Sequence, residues 1–257
     1  MGTVIRLVAM PEETGFAPLG VLGYCLTRSK LLDPVWNKVE LPMKAVEHEP
    51  EEKLRDILVS ILTGCRSIMQ VNTRLRPDLA LASARGRPQF AEQSILARTL
   101  DAFGSDQVAQ LQQGFDALLR QESQVFRHPF GDEWLYLDVD STPLPSSKRA
   151  EGSTKGKFEK KTVTGANWHA HAPQYHETLL SRIYIGKTDS GPTYIPAPEA
   201  IENTLGFTPE QRAKTILRSD SGFGSDANVN RALQGGWQVL AKGKGGKRPQ
   251  SYARRGG

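Results

Sequence analysis

Two aspartates, each at the end of a run of β-forming residues, are the side chains of this sequence best suited to chemistry. Asp140 ends the run over 134–140, and Asp220 ends the run over 215–220. Sites in open α/β sheets form at the carboxyl ends of strands, so both carboxylates are expected at one cleft. Carboxylate oxygens suit Mg²⁺, which can hold the oxygens that react in a phosphoryl displacement. The pair therefore predicts a divalent-metal site.

Two alternatives stay open at these positions. An aspartate after a strand is commonly a turn former or a helix cap, and for either residue taken alone this use is the commoner one. Asp138 is also a rival of Asp140 as the first acid, because strand alternation places both side chains on the same face. The flanking sequence is needed to decide between these possibilities.

That flanking sequence resembles the DDE transposases of bacterial insertion sequences. The first acid of this family lies in a D-x-T motif, here Asp140-Ser141-Thr142. The second lies in an R-x-D-x-G-F motif, here Arg218-Ser219-Asp220-Ser221-Gly222-Phe223, which is the most specific part of the resemblance. The resemblance covers roughly residues 16–250 and includes, in the N-terminal half, residues 53–58 with 64–65, residues 72–78 and residues 93–101.

The resemblance implies an RNase H-like catalytic core that follows a helical DNA-binding region. It implies end cleavage that depends on Mg²⁺ (or Mn²⁺), and strand transfer by direct attack of a 3′-hydroxyl. The partner is then double-stranded DNA, both element ends and target, and a homodimer is compatible with this function. Asp140 and Asp220 become the first two metal ligands, and Asp140 is preferred to Asp138 because it has the threonine spacing of the motif.

The sequence departs from the family at the third acid, a glutamate on a helix well downstream of the second aspartate. No Asp or Glu follows Asp226, and Asp226 itself lies too near Asp220 to replace that glutamate. We therefore expect a C-terminally truncated or degenerate transposase that is inactive in strand transfer. Two other functions stay open. One is a truncated DNA-binding protein that binds element ends and regulates transposition without catalysis, and the other is a metal-dependent nuclease or hydrolase with an unidentified acid.

Two regions must position these residues, and together they indicate an α/β chain that is α+β overall. Residues 1–125 are predicted to be mainly helical and to bind DNA, after an irregular arm over 1–50 with one short strand. Residues 126–257 are predicted to form an incomplete RNase H-like mixed sheet with flanking helices. Apolar residues at three- and four-residue steps predict the first helices, which run from Pro50 to about Gly64 (with Ile61 and Leu62 on its apolar stripe), over 89–100 and over 105–121.

The second region alternates strands with helices. Residues 144–166 are polar and are predicted to be a loop. The polar stretch that contains His169 and His171 is also predicted to be a loop. The predicted strands are 134–140, 179–185, 215–220 and 237–242, and the predicted helices are 199–205, a turn from Thr208, and 226–234.

Basic and polar residues that are predicted to contact DNA fall into three groups. The chain has 33 Lys and Arg against 28 Asp and Glu, a net charge of +5, which suits a polyanion partner. The helix over 89–100 can be interpreted as a DNA-recognition helix or as an ordinary helix that packs in a bundle. The glycine-rich basic segment after 241 can be interpreted as a DNA-binding segment or as a solvated tail. The groups are Arg85, Arg87, Gln93 and Arg98; Lys155 and Lys157; and Lys242, Lys244, Lys247 and Arg248.

Other features argue for few additional functions. His169 and His171 have the spacing at which two imidazoles share a strand face, but no Cys or further His completes a zinc set. Cys25 and Cys65 make no disulfide framework. No run approaches the ~20 apolar residues that span a bilayer, and no signal-peptide core is present, so a bacterial cytoplasmic protein associated with the nucleoid is expected.

Overall fold

A computed structural model divides the chain into two units, Met1–Leu118 and Leu119–Gly257. The division falls inside a long helix, a few residues before the boundary that the sequence predicts between 125 and 126. The first unit is helical and the second contains a mixed sheet, so the predicted fold class is confirmed. The residues that the structure describes are 13–43, 47–145, 154–155, 162–185, 196–221 and 223–242.

Helices account for the regular structure described in the first unit. Their bounds are α1 (Ala17–Ser29), α2 (Asp33–Trp36), α3 (Pro50–Leu62), α4 (Leu79–Ala84), α5 (Gln93–Asp101) and α6 (Ser105–Glu122), with a π-helical turn at Val71–Leu75. The core of this unit includes Val59, Leu75, Leu81, Phe90 and Leu96. Among the described residues, no helix combines the length and apolar character needed to cross a membrane.

The prediction of an irregular arm over residues 1–50 is wrong for the part of it that the structure describes. Helices α1 and α2 lie there, and each has a proline in its first turn, Pro18 and Pro34. Proline is tolerated at these positions because the N–H groups of the first turn have no partner within the helix. The prolines that suggested irregular chain therefore mark the start of helices.

Helix α3 begins where the sequence predicts it. Pro50 occupies its first turn, and a reciprocal capping box joins Glu49 and Glu52. The predicted apolar stripe is wrong at its end, because Ile61 and Leu62 are 64% and 46% exposed. The helix instead buries a face that contains Asp56, whose ion pair with an arginine is described below. The predicted helix over 105–121 is confirmed by α6, whereas α5 begins four positions later than the 89 that the sequence predicts.

The second unit is built on one sheet. Its strands are β1 (Leu135–Pro145), β2 (Thr154–Lys155), β3 (Thr162–Ala172), β4 (Glu177–Ile185), β5 (Thr215–Ser219) and β6 (Gln238–Ala241). The helices that follow α6 in the described part of the chain are α7 (Pro196–Leu205), α8 (Pro209–Ala213) and α9 (Asp226–Gln234), with a 3₁₀ turn at Gln124–Arg127.

The strand order gives the sheet its mixed character. β3 pairs with β1 and β4, and both pairings are antiparallel. β5 pairs with β1, β6 pairs with β5, and both pairings are parallel. Three antiparallel strands followed by two parallel strands, with helices in the later connections, form the RNase H-like arrangement that the resemblance implies.

Alternation along β1 separates the two faces of the sheet. Leu135, Leu137 and Val139 are at most 1% exposed and join the core of the second unit, which also contains Trp168, Leu217, Phe223 and Trp237. Tyr136, Asp138 and Asp140 point to the opposite face, which we call the polar face of the sheet. Both aspartates are therefore directed away from the core.

The predicted loop over residues 144–166 is wrong at both ends, and its middle lies outside the described residues apart from β2. β1 continues through Pro143 to Pro145, and β3 already begins at Thr162. The predicted end of this strand at Asp140 is therefore wrong, because pairing with β3 carries β1 on to Pro145 after its pairing with β5 stops at Val139. Polar β-branched residues in this stretch pair as strands even though their polarity suggests a loop.

Candidate metal site at the ends of two parallel strands

The strands that carry the two aspartates lie side by side. β1 and β5 pair in parallel, and the last pair in their register is Val139 with Ser219, which confirms that the two strands are adjacent. Asp140 and Asp220 each follow this pair by one position. Neighbouring strands lie about 4.8 Å apart, so a register that continued by one step would place Asp140 beside Asp220.

The immediate surroundings of the two aspartates differ. Asp140 is exposed, and its Oδ1 accepts a hydrogen bond from the backbone N–H of Ser141 at 2.7 Å. Asp220 is exposed directly after β5, and its carbonyl accepts a hydrogen bond from the N–H of Phe223 at 3.3 Å. Asp220 thus opens a tight turn, as its position after a strand suggests. This turn uses the backbone of Asp220, so it does not decide the role of the carboxylate.

Asp138, the alternative first acid, is held by an arginine. Nε and Nη2 of Arg218 donate to the two carboxylate oxygens of Asp138 at 2.5 and 2.7 Å. The Arg218 guanidinium also lies over the ring of Tyr136, with 5.2 Å between Cζ and the ring centroid. The hydrogen bonds to Asp138 raise the pKa of Arg218. Both oxygens of Asp138 are therefore engaged by Arg218, whereas the hydrogen bond described for Asp140 is local, to the N–H of the next residue.

The turn after Asp220 is packed tightly against β6. Phe223 is 1% exposed, and its carbonyl accepts a hydrogen bond from the side chain of Asn228 at 3.0 Å. A Cβ at Gly224 would collide with the carbonyl oxygen of Lys242, so this position needs a glycine. The G-F part of the sequence motif does not include Gly224 or Asn228, and only the packing shows what these two residues do.

The two histidines lie in a strand, so their placement in a polar loop is wrong. His169 and His171 are in β3, opposite Asp140 and Asp138 respectively. Cross-strand partners share a face, so both imidazoles lie on the polar face. Nδ1 of His171 is 3.4 Å from the hydroxyl of Thr178. The stretch pairs as a strand because Trp168 and Ala170 alternate with the histidines and are buried.

The carboxylates of Asp140, within β1, and of Asp220, directly after β5, have the chemistry of ligands for a hard cation that is shared with a substrate. Mg²⁺ binds through one or two carboxylates and completes its shell with water and substrate phosphate. Asp140 and Asp220 supply two carboxylates. Within the described ranges, no three His, Cys, Asp or Glu side chains come together as a metal-binding group. The described part of the chain therefore adds no third metal-binding side chain to these two carboxylates.

One predicted DNA contact lies at the same edge of the sheet. Lys242 is exposed directly after β6, and its backbone N–H donates to the carbonyl of Ser219 at 3.3 Å. A positive charge here stands beside the end of the strand that leads to Asp220, where it suits a DNA phosphate. Lys155 lies in β2, while Lys157, Lys244, Lys247 and Arg248 lie outside the described residues.

The predicted DNA contact at Arg87 is buried in the first unit. Its side chain is 11% exposed and forms an ion pair with Asp56, and its Nη2 lies 2.8 Å from Nδ1 of His48. Oδ2 of Asp56 accepts a hydrogen bond from the N–H of Ala91 at 2.8 Å. Burial raises the pKa of Asp56 even though Arg87 opposes that shift. This setting favours a structural role for Arg87 over contact with DNA.

The other candidates of the first unit differ in exposure. Burial lowers the pKa of Arg85, and a Cβ at Gly23 would collide with the Arg85 guanidinium. The backbone N–H of Gln93 donates to the side chain of Asn72 at 2.9 Å, which fixes the start of α5. Arg98 is exposed on α5. Of this group, Arg98 has the surroundings that best suit contact with DNA.

Comparison with known proteins gives distant structural likenesses alone. No protein-family model and no curated protein matches this sequence. The chain is similar to a piggyBac transposase synaptic complex with hairpin DNA at a TM-score of 0.49 and 12% identity, over 93% of this chain and 53% of that one. It is similar to the Mos1 strand transfer complex at a TM-score of 0.27 and 12% identity, over 84% of this chain and 67% of that one. At these TM-scores neither likeness carries an argument about function.

The lengths also differ. The chain spans about half the length of the piggyBac transposase chain. The activities and partners of a whole transposase are therefore only proposed for this chain, on the geometry of β1 and β5.

Proposed function

We propose that this chain is a DDE-type DNA transposase of an insertion sequence, with Asp140 and Asp220 as ligands of a Mg²⁺ or Mn²⁺ ion. One observation carries the proposal. Two parallel strands of an RNase H-like sheet pair as far as Val139 and Ser219, and an exposed aspartate follows each of them. Both carboxylates are exposed and so can be reached by a cation and by DNA.

The residues at this edge have separate tasks in the proposed reaction. When bound, a divalent cation polarises phosphoryl oxygens and stabilises the charge that develops during attack. Asp140 and Asp220 hold that cation by their negative charge. Lys242 offers a positive charge to a DNA phosphate at the same edge, and the Phe223–Gly224 turn holds the chain after Asp220 against β6. These residues bind and orient DNA where strand transfer would take place.

The proposed site has two protein carboxylates, and this limits the activity that we expect. No cluster among the described residues adds a third ligand. A cation held by two carboxylates depends on substrate phosphate to complete its shell. We therefore propose that this polypeptide by itself nicks DNA slowly and is inactive in complete strand transfer.

Nicking of DNA tests the proposal. The substrate is a supercoiled plasmid that carries the DNA flanking the coding sequence, incubated with Mg²⁺ or Mn²⁺. We expect nicking that requires the cation and falls at least about tenfold in Asp220→Ala, as loss of a metal ligand should cause. Asp132→Ala is the matched control, because Asp132 is exposed in a turn before β1. Equal activity of Asp220→Ala and wild-type protein would reject the catalytic function.

A second function has its own support in the first unit. Arg98 is exposed on α5, and the chain carries a net charge of +5. A protein that binds element ends and regulates transposition without catalysis would use this helix and would not need the cation. Binding of the flanking DNA that weakens with salt, unaffected by EDTA and without any nicking in Mn²⁺, would favour this alternative.

A further inference from the structure

The ion pair between Arg218 and Asp138 joins the two strands that carry the candidate ligands. Asp138 and Arg218 are register partners, and their side chains are each 38% exposed. The forked guanidinium meets both carboxylate oxygens, at 2.5 and 2.7 Å. This two-point geometry is the strongest form of such a pair. The ring of Tyr136 lies against the same guanidinium and limits its movement.

The pair stands one step before the candidate ligands on the same face. Asp138 precedes Asp140 by two positions, and Arg218 precedes Asp220 by two positions. Two residues of a strand span about 6.6 Å. A register slip of one residue would turn one aspartate to the other face, so a side-chain bond between register partners also fixes where the ligands point.

Charge gives Arg218 a second effect. Three carboxylates belong to this part of the sheet, on Asp138, Asp140 and Asp220, and a cation would be attracted to all of them. The guanidinium neutralises Asp138 and engages both of its oxygens. Asp140 and Asp220, two positions further along their strands, are not part of this ion pair. The imidazoles of His169 and His171, which lie opposite Asp140 and Asp138, are the other titratable groups on the neighbouring strand.

We propose that Arg218 is a positioning residue that excludes Asp138 from metal binding and leaves the cation to Asp140 and Asp220. This inference rests on the proposed function, because it concerns the same metal site. In this role Arg218 determines which carboxylates bind the metal, and this effect is separate from any contribution of Arg218 to folding. Arg218 lowers the affinity of the sheet for the cation while it restricts that cation to the two ligands that the strand ends present.

Binding of Mn²⁺ alone, measured by electron paramagnetic resonance on the full chain, tests this assignment. Arg218→Gln removes a positive charge and releases the Asp138 carboxylate, so Mn²⁺ should bind about fivefold to tenfold more tightly at low ionic strength. Asp138→Asn leaves the guanidinium charge uncompensated, so Mn²⁺ should bind more weakly by a similar factor. The neutral pair Arg218→Gln with Asp138→Asn should return the affinity to within about twofold of wild type.

The opposite changes in Mn²⁺ affinity that are expected for Arg218→Gln and Asp138→Asn distinguish a positioning role from damage to the fold. Damage to the fold would weaken binding in all three variants. Arg182→Gln is the matched control and should change the Mn²⁺ affinity less than about twofold. Arg182 is an exposed arginine of β4 whose register partner is the buried Trp168, so it does not lie on the polar face of the sheet. If Arg218→Gln does not fold, the charge-neutral double variant and Asp138→Asn carry the test, because the positioning role predicts near wild-type affinity in the first and weaker binding in the second.

The outcomes distinguish this inference from the proposed function. Wild-type binding with the predicted pattern of signs supports both. Wild-type binding with unchanged or weaker affinity in Arg218→Gln overturns the positioning role and leaves the metal site intact. A double variant, Arg218→Gln with Asp138→Asn, that binds Mn²⁺ as weakly as Asp140→Asn makes Asp138 a ligand and also overturns it. No Mn²⁺ binding to wild-type protein rejects the metal site, and the positioning role falls with it.

Discussion

At the scale of residues, the buried carboxylate of Asp56 contrasts with the exposed one of Asp140. Asp56 is 1% exposed, bonded to Arg87 and to the N–H of Ala91. A buried charge needs such partners, and they account for Asp56 by packing alone. Asp140 is exposed and is bonded to the N–H of the next residue. Asp140 lies within β1 on the polar face of the sheet, directly after the last residue of β1 that pairs with β5.

The first prediction concerns the buried ion pair. Asp56→Ala should lower the free energy of unfolding by about 3 kcal/mol, because it leaves the buried Arg87 charge with only the more distant Glu52 carboxylate, at 3.8 Å, and the Ala91 N–H without an acceptor. Urea denaturation of the full chain measures the change. Glu51→Ala is the control, since Glu51 pairs with Arg55 on the exposed side of α3 and should cost less than about 1 kcal/mol. Equal costs for the two variants would contradict the structural role of the Asp56–Arg87 pair.

The sequence predicts the two aspartates of the candidate site but cannot rank Asp138 against Asp140 by strand geometry. Alternation places both on one face, and their difference arises from Arg218, eighty positions further along the chain than Asp138. That contact depends on the register between β1 and β5, which a sequence alone does not give. The threonine spacing of the motif supports the same choice by resemblance.

At the scale of elements, periodic segments with strong caps are predicted well and polar strands are not. Helices α3 and α6 and strand β5 lie close to where the pattern of apolar residues places them. β3 is missed because its polar-face residues, such as His169, suggest a loop, and its partner β1 is distant in sequence. Helix α1 is missed because glycines and a first-turn proline obscure its start. Tertiary pairing decides these cases, and propensity does not.

The second prediction concerns the turn that follows β5. Gly224→Ala should lower the free energy of unfolding by about 2 kcal/mol, because the new Cβ meets the Lys242 carbonyl and must displace β6 or the turn. Gly131→Ala is the control, since no atom lies within 4 Å of a Cβ at that position. That control should stay within about 0.5 kcal/mol of wild type. Thermal or urea denaturation measures both, and a neutral Gly224→Ala would contradict the close packing of the turn.

At the scale of the whole molecule, we propose that the helical unit binds DNA and that the unit with the mixed sheet carries the chemistry. The first unit carries the exposed Arg98 on α5, and the second carries the paired strands with their aspartates. The net charge of +5 suits contact with DNA. Binding by one unit and chemistry by the other would then be separable in variants, which the third prediction uses.

The third prediction is that Arg98 contributes one phosphate contact or base contact to DNA binding. Arg98→Ala should weaken binding of the flanking DNA and, if the contact is to phosphate, reduce the slope of log affinity against log salt by about one. Fluorescence anisotropy at several salt concentrations measures both quantities. Arg28→Ala is the control, because Arg28 is also an exposed arginine on a helix of the first unit. An identical loss in the two variants would indicate that net charge, and not α5, governs binding.

Titration of the full chain with Mn²⁺, followed by electron paramagnetic resonance, tests the central claim most directly. Should the strand ends form a shared site, wild-type protein takes up one ion per chain, Asp140→Asn and Asp220→Asn each weaken uptake at least about tenfold, and Asp132→Asn leaves it unchanged. Wild-type protein that takes up no Mn²⁺, or that keeps its affinity when either Asp140 or Asp220 is changed, would contradict the account.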